Sequence, residues 1–209
     1  MTPAPRPQAG LETTPGWPGA RQSMPADDPY QAGHYPGQPI YPGVFYVESA
    51  VRWITGCAAA AGRPLVWRGL RQVRYTGQGR PGESYDIKLA KVADLPDETA
   101  IRAVCATPGG RQLCVLDLVF EPTASSRPDS GGLGPAPAAL AEPAGRRLGP
   151  AEIERLLPHR GPMLLLEELI LDPAATVAWG RHTVGPDEPG LALPPPPPAW
   201  PHGLAIELF

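Results

Sequence analysis

One apolar helix, predicted to begin at Pro42 and Gly43 and to end near Gly62, constrains the fold of this chain more than any other feature. Proline is typical of the first position of a helix, where its missing N–H leaves no hydrogen bond unmade. Apolar residues then recur at steps of three and four positions, which is the spacing of one helical face. They are Val44, Val47, Val51, Ile54 and Ala58. Few charges occupy the other faces, so we expect the rest of the chain to enclose this helix.

Two titratable residues stand near the start of this helix. Glu48 lies in an otherwise apolar part of it, and His34 precedes it. An imidazole and a carboxylic acid near the amino end of a helix can work as an acid/base pair. The residue types alone leave structural roles open for both. A single histidine before a Pro-Gly turn is more often structural, and Glu48 could pair with Arg52 one helical turn further on.

The order of residues in this stretch is more specific than their types. From His34 to Val44 the chain reads His-Tyr-Pro-Gly-x-Pro-x-x-Pro-Gly-Val, with Glu48 fourteen positions after the histidine. This motif resembles the signature of the β-hydroxyacyl-carrier-protein dehydratases of fatty-acid and polyketide synthesis. The resemblance is strongest over residues 33–54 and continues more weakly to Glu121. It implies an α+β protein with the hotdog fold, in which a long antiparallel sheet wraps a central helix.

Segments with strand-like patterns follow the helix. Residues 85–92 alternate apolar and polar side chains, as a half-buried strand does. Residues 99–106 and 113–120 are joined by Pro108-Gly109-Gly110, which predicts a hairpin turn. Together with residues 64–75, these segments give one helix followed by three or four antiparallel strands. That order is similar to the carboxy-terminal two-thirds of a hotdog unit.

The composition divides the chain into structured and linking parts. Proline and glycine number 31 and 24 of 209 residues, which indicates that much of the chain is linker. Residues 1–27 are predicted to be a disordered tail, because they cannot bury enough apolar surface to offset the entropy of ordering. Residues 28–122 form the predicted dehydratase-like unit, without the family's leading helix and hairpin. Residues 123–147, rich in Pro, Ala, Gly and Ser, are predicted to be a flexible linker.

The resemblance returns beyond the linker. Residues 148–168, which contain Leu-Pro-His-Arg, look like the leading segment of the same family, and Gly203 would begin a second central helix. We therefore interpret residues 148–209 as the amino-terminal portion of a second hotdog unit, so that the chain is an incomplete double hotdog. The alternative is that residues 148–184 pack back and complete the first unit in a permuted order.

The second unit departs from the family's chemistry. Glu207 matches the carboxylate of the central helix, but residues 194–198, where the family has its histidine motif, are all proline. We expect this unit to lack dehydratase chemistry of its own. His159 and Arg160 match family residues to which we assign a structural role.

The resemblance assigns three roles at the site. Dehydration of a β-hydroxyacyl thioester removes an α-proton and protonates the departing hydroxyl. His34 would be the base, since its ordinary pKa lies near neutrality. Glu48 would be the acid or would orient water, because an apolar pocket raises the pKa of a carboxylic acid. The backbone N–H groups of Gly43 and Val44, at the positive end of the helix, would stabilise the thioester oxygen.

The resemblance also implies partners. Hotdog dehydratases pair two units, so we expect a homodimer or a pseudo-dimer, and an acyl carrier protein that presents the substrate on phosphopantetheine. An acidic carrier protein would dock by charge complementarity on a basic rim, although the same arginines could simply form a solvated strand face. They are Arg63, Arg68, Arg71, Arg74 and Arg80. Two other functions stay open: a non-catalytic hotdog partner, and a thioesterase or hydratase acting on coenzyme A thioesters.

No other class of partner is indicated. The net charge of −3 gives no reason to expect binding to nucleic acid or to a membrane surface. The amino-terminal residues lack the apolar core of a signal peptide, and no apolar run is long enough to span a bilayer, so we expect a cytoplasmic protein. The three cysteines have neither a metal-binding spacing nor an even count, and we expect no metal or cofactor.

Overall fold

An antiparallel sheet and the helix that packs against it make up most of the computed structural model, which describes residues 19–94, 98–123, 144–174 and 177–183. In chain order the elements are β1 (Ala20–Ser23), α1 (Pro29–His34), α2 (Gly43–Ala60), β2 (Leu65–Tyr75), β3 (Ser84–Asp94), β4 (Thr99–Ala106), β5 (Gln112–Pro122), β6 (Arg146–Leu148), α3 (Pro150–Leu156), β7 (Glu168–Leu171) and β8 (Ala178–Arg181). None of the helices in these ranges is long and apolar enough to cross a membrane.

The large sheet has the strand order β1-β3-β4-β5-β2, and every neighbouring pair is antiparallel. Helix α2 packs on it through contacts with β2 and β5. Val47, Ala50 and Ile54 from the helix are almost fully buried against sheet residues such as Leu116 and Phe120. The predicted α+β hotdog fold is therefore confirmed for the first unit, with its helix and its strands close to the expected positions.

The turn between β4 and β5 shows why the hairpin prediction succeeds. Gly110 has φ +84°, a conformation that favours glycine, and its N–H donates to the carbonyl of Thr107 at 2.8 Å. The N–H of Thr107 in turn donates to the carbonyl of Arg111 at 2.9 Å, which closes the turn. The register that follows sets Cys105 opposite Cys114, and both thiols are buried and reduced.

The predicted end of the disordered tail at residue 27 is wrong, because part of that segment belongs to the sheet. Strand β1 pairs with β3, with Ala20 opposite Ile87. Met24 is fully buried, and its N–H and carbonyl bond to Glu83 at 2.9 Å and to Gly82 at 2.7 Å. One buried thioether side chain and a run of backbone pairing thus order a segment that is poor in apolar residues. Residues 1–18 lie outside the described residues.

The predicted linker, residues 123–147, also ends too late. Strand β6 begins at Arg146 and pairs with β7, which pairs with β8 in a three-stranded sheet. Helix α3 covers this sheet with the fully buried Ile153, and the pairing satisfies backbone groups that a linker would leave to water. Residues 124–143 lie outside the described residues, as does the second central helix predicted at Gly203.

The elements after the linker contact the first unit. A short 3₁₀ turn, Gly161–Met163, packs against α1. The N–H of Arg160, just before that turn, donates to the carbonyl of Gly33 in α1 at 2.7 Å. The segment after the linker therefore packs against α1, and whether residues 148–209 begin a second unit or complete the first stays a prediction.

Candidate active site

Helix α1 carries the candidate base at its carboxyl end. The helix begins because the carboxylate of Asp28 accepts a hydrogen bond from the N–H of Tyr30 at 2.8 Å, and Pro29 occupies the first position. It ends after His34, because Tyr35 is extended and precedes a proline. A helix of six residues therefore fixes the backbone of His34 immediately before the loop that leads to α2.

A tight turn folds this loop back toward His34. Pro36 and Gly37 are its central residues, Gly37 has φ +84°, and the N–H of Gln38 donates to the carbonyl of Tyr35 at 3.0 Å. Proline followed by a residue with positive φ is the pattern of a type II turn, so a glycine is required there. The reversal brings the carbonyl of Ile40 to the imidazole of His34.

The hydrogen bond to Ile40 determines which nitrogen of His34 is available. The distance from Nδ1 of His34 to the carbonyl oxygen of Ile40 is 3.2 Å. A carbonyl only accepts, so Nδ1 carries the proton and Nε2 of the neutral ring keeps its lone pair. Burial lowers the pKa of His34, and the bond to Ile40 opposes that shift only in part. The ring is therefore neutral at pH 7 and can accept a proton on Nε2.

Two other rings lie against His34. The ring centroids of Tyr35 and His34 are 4.6 Å apart. The imidazole of His159, from beyond the linker, is stacked on that of His34, with centroids 5.5 Å apart and 18° between the planes. Tyr35 and His159 are themselves 6.1 Å apart, so the three rings form one cluster. The sequence analysis assigned His159 a structural role and did not place it in the site.

The candidate oxyanion donors lie where they are expected, at the amino end of α2. Gly43 is the first residue of that helix, and Pro42 before it provides no side-chain cap. The first N–H groups of a helix have no partner within it and carry its positive partial charge. The ring of Tyr75 covers this end, since a Cβ on Gly43 would be 2.6 Å from its Cζ. A side chain at position 43 would displace that ring from its place, and Val44 beside it is buried.

Glu48 is carried by the second turn of α2, one turn after Val44 and on the same side of the helix. Its side chain is half-buried, and Arg52, the alternative partner considered above, is exposed. Within the described residues, the hydrogen bond and the ring contacts of His34 go to Ile40, Tyr35 and His159. The structure therefore brings His34 together with His159, and it does not join His34 directly to Glu48.

An open cleft of about 770 Å³ lies beside His34. Two of its lining residues are those that contact the imidazole, Tyr35 through its ring and Ile40 through its carbonyl. Arg80 adds a cation to the wall. Within the described ranges, no group of three or more His, Cys, Asp or Glu side chains could hold a metal ion. The lining of this cleft does not include His34, Gly43, Val44 or Glu48, and His34 adjoins it only through its contacts with Tyr35 and Ile40.

Two arginines of the predicted basic rim are engaged in ion pairs. Arg68 pairs with Glu121 at 2.8 Å, and Arg71 pairs with Glu98. Such pairing reduces the positive potential that these two side chains can offer to an acidic partner. Arg80 is the member of the rim that lies beside the cleft.

Comparison with known proteins gives matches over the first unit. Residues 19–101 match the family model for ApeI-like proteins, described as ApeI dehydratase. The chain is 33% identical over 106 residues to the 3-hydroxyacyl-[acyl-carrier-protein] dehydratase FabZ of Chloroflexus aggregans. That alignment covers 47% of this chain and 70% of the FabZ protein. It is 29% identical over 107 residues to FabZ of Latilactobacillus sakei, in an alignment that covers 48% of this chain and 74% of that protein.

Solved structures that align with about half of this chain include a dehydratase and a thioesterase. The dehydratase heterocomplex ApeI:P of Xenorhabdus doucetiae aligns with a TM-score of 0.39 and 14% identity, over 49% of this chain and 85% of that one. A hypothetical thioesterase of Streptococcus pneumoniae, solved with coenzyme A, aligns with a TM-score of 0.41 and 12% identity, over 50% and 79%.

Proposed function

This chain belongs to the hotdog dehydratase family, and from that membership we propose that it removes water from a β-hydroxyacyl thioester to give a trans-2-enoyl thioester. The observation that carries the proposal is the state of His34. Its ring is buried and neutral, Nδ1 is bound to the carbonyl of Ile40, and Nε2 is left as the proton acceptor. A general base for an α-proton needs this combination of position and protonation state.

In the proposed reaction, Nε2 of His34 takes the α-proton of the thioester. The electron pair of the broken C–H bond forms the new double bond as the bond from Cβ to the hydroxyl oxygen breaks. Glu48 supplies the proton with which the hydroxyl leaves as water, and the proton on His34 later returns to Glu48 or to solvent. Negative charge that develops on the thioester oxygen is stabilised by the N–H groups of Gly43 and Val44 at the positive end of α2.

We propose an acyl carrier protein as the partner that presents the thioester. The arginine beside the cleft supports this, because Arg80 is exposed and lies next to Tyr35 and Ile40, the two lining residues that contact His34. An acidic carrier protein would be steered toward such a cation, and its phosphopantetheine arm would enter the cleft.

We also propose that two hotdog units pair, as the resemblance implied. Strand β2 supports this because it is the last strand of the sheet and has eleven residues. Val66 and Tyr75 on it are 40% and 50% exposed. A long edge strand with exposed apolar side chains is a template for pairing with a second chain.

The test is an assay of the full chain with a β-hydroxyacyl carrier protein, followed by the appearance of enoyl absorbance. His34→Ala should lower kcat by at least about a hundredfold, the usual contribution of a general base. His182→Ala is the matched control, because it removes an imidazole at the end of β8 that lies against Glu167. Full activity in His34→Ala would defeat the proposal. Release of free thiol in place of an enoyl product would indicate a thioesterase, and no turnover at all would indicate a non-catalytic partner.

A further inference from the structure

A segment from the far side of the linker, residues 157–163, lies against α1 and is called here the docking segment. Its attachment is made by backbone groups, since the N–H of Arg160 donates to the carbonyl of Gly33 at 2.7 Å. The guanidinium of Arg160 then bonds to two carbonyls of the segment itself, Leu157 at 2.7 Å and His159 at 2.6 Å. One arginine therefore both anchors the segment and fixes its shape.

The residue of α1 that accepts this hydrogen bond is Gly33, which has no side chain to block the contact. A Cβ on Gly33 would lie 2.1 Å from the carbonyl oxygen of Arg160 and 3.5 Å from Cβ of Met163. The first distance is impossible, so only glycine allows the docking segment to approach. Glycine inside a helix is less favourable than alanine by about 1 kcal/mol. Gly33 is the next-to-last residue of α1, and the close approach of the docking segment gives a physical reason for a glycine there.

The contact also places the imidazole of His159 against that of His34. With the segment docked, the imidazole of His159 stacks on that of His34 at 5.5 Å, on a ring that already touches Tyr35. Met163, at the end of the segment, is 3% exposed, so the contact excludes water from this side of α1. His34 is itself only 7% exposed. The stacked ring thus limits both the rotation of His34 and its access to solvent.

We infer that the docking segment completes the site of the first unit from beyond the linker, and that His159 is a positioning residue for His34. The inference rests on the proposed function for the role of His34, whereas the docking itself stands on the backbone contact. Residues 157–163 would then act as the leading segment of the first unit. The second group of elements then serves the first site and needs no chemistry of its own.

The positioning role predicts a specific pattern in variants of the full chain. His159→Ala should lower kcat by about tenfold to a hundredfold, with a smaller change in KM, because a displaced catalytic group loses alignment with the substrate. His159→Phe keeps a stacked ring and should recover most of that loss. The ring-proton resonances of His34 should shift in His159→Ala and return toward their wild-type positions in His159→Phe. Unchanged kcat and unchanged resonances in His159→Ala would overturn the positioning role.

The docking is tested by filling the space at Gly33. Gly33→Ala should dislodge the segment, so that the amide of Arg160 exchanges its hydrogen at least about tenfold faster and the His34 resonances shift as in His159→Ala. Gly56→Ala is the matched control, since its Cβ would meet no atom within 4 Å, and it should leave both signals unchanged.

The structural readouts separate the two proposals. If the wild-type chain shows no dehydratase turnover, the proposed function fails, and the exchange and resonance measurements still decide whether the segment docks. If turnover is present but Gly33→Ala leaves the protection of Arg160 and kcat unchanged, the docking inference fails and the dehydratase assignment stands.

Discussion

At the scale of single residues, the state of His34 depends on burial and on one hydrogen bond. The carbonyl of Ile40 fixes the tautomer, and the loss of solvent lowers the pKa of the ring. The side chains in ring contact with the imidazole are Tyr35 and His159, and neither is a carboxylate that would stabilise the protonated form. The same features that make His34 a base at neutral pH also set the acid limit of its activity.

The pH dependence of the proposed reaction follows from this shift. A histidine in water has a pKa of about 6.5, and burial places that of His34 below this value. The base is therefore neutral above the lowered pKa, and kcat/KM should be lost only as the pH falls through it. We expect the midpoint of the acid limb of kcat/KM to lie below about pH 6.5.

A pH–rate profile of the full chain measures that midpoint. His159→Phe removes the other imidazole of the ring cluster and should retain an acid limb, which assigns the limb to His34. A midpoint above pH 6.5 in both proteins would contradict the role of burial.

At the scale of elements, the core of the first unit lies between helix α2 and the large sheet. Of the apolar face predicted from the sequence, Val44, Val47, Ile54 and Ala58 are buried, whereas Val51 is only partly buried and Ala50 is buried beside them. That face of α2 packs against strands β2 and β5. The first turn of the same helix carries Gly43 and Val44, so packing on the sheet also fixes the direction of the backbone N–H groups at the site.

Removing the centre of this face should destabilise the whole unit. Ile54 is fully buried, so Ile54→Ala should lower the free energy of unfolding by about 2–5 kcal/mol, from lost burial and the cavity left behind. Arg52→Ala on the exposed side should change it by no more than about 0.5 kcal/mol. Urea denaturation of both variants checks this, and equal stabilities would show that α2 does not pack as described.

The elements that the sequence predicts well are those with a repeated pattern. The helix was expected from Pro42 to near Gly62 and spans Gly43–Ala60, and the strand expected over residues 99–106 has those bounds. Such elements have enough residues for the period of their apolar side chains to be read. Strand β1 and helix α1 have four and six residues, too few for a period, and their order comes from pairing with β3 and from the cap at Asp28.

The residues of the candidate site also fall into two groups: those that a local motif predicts, and one that only the tertiary fold brings there. The motif proposes His34, Gly43 and Glu48 as site residues, because residues near each other in the chain keep a recognisable order. It did not predict the ring of His159, because a stacking contact between residues on opposite sides of a linker depends on the tertiary fold. A glycine inside α1 was the one local signal, since Gly33 has no role in the helix itself.

At the scale of the whole molecule, the large sheet ends in β2, and its outer edge is unpaired within the described ranges. A second copy that pairs there would cover Val66 and Tyr75 and extend the sheet across both chains. The dimer proposed above therefore has a defined surface, and its Val66 end can be altered without changing Tyr75, whose ring covers Gly43.

A charge on this edge should weaken the dimer. Val66→Lys places a cation on the edge strand and should shift the protein toward the mass of one chain at micromolar concentration, because charged side chains block edge pairing. Val177→Lys makes the same change at another exposed apolar residue, away from β2, and should keep the wild-type mass. Light scattering after gel filtration gives the masses, and a dimer that persists in Val66→Lys would exclude pairing through this strand.

The contact between Gly33 and Arg160 joins two parts of the chain that are synthesised at different times. The ribosome completes the last strand of the large sheet at Pro122, before it has made the residues that will cover His34. The roughly forty residues from there to Met163 take about two to eight seconds to synthesise at about 5–20 residues per second. During that interval the residues that cover His34 have not been made, so the docking inferred above can form only after translation has passed Met163.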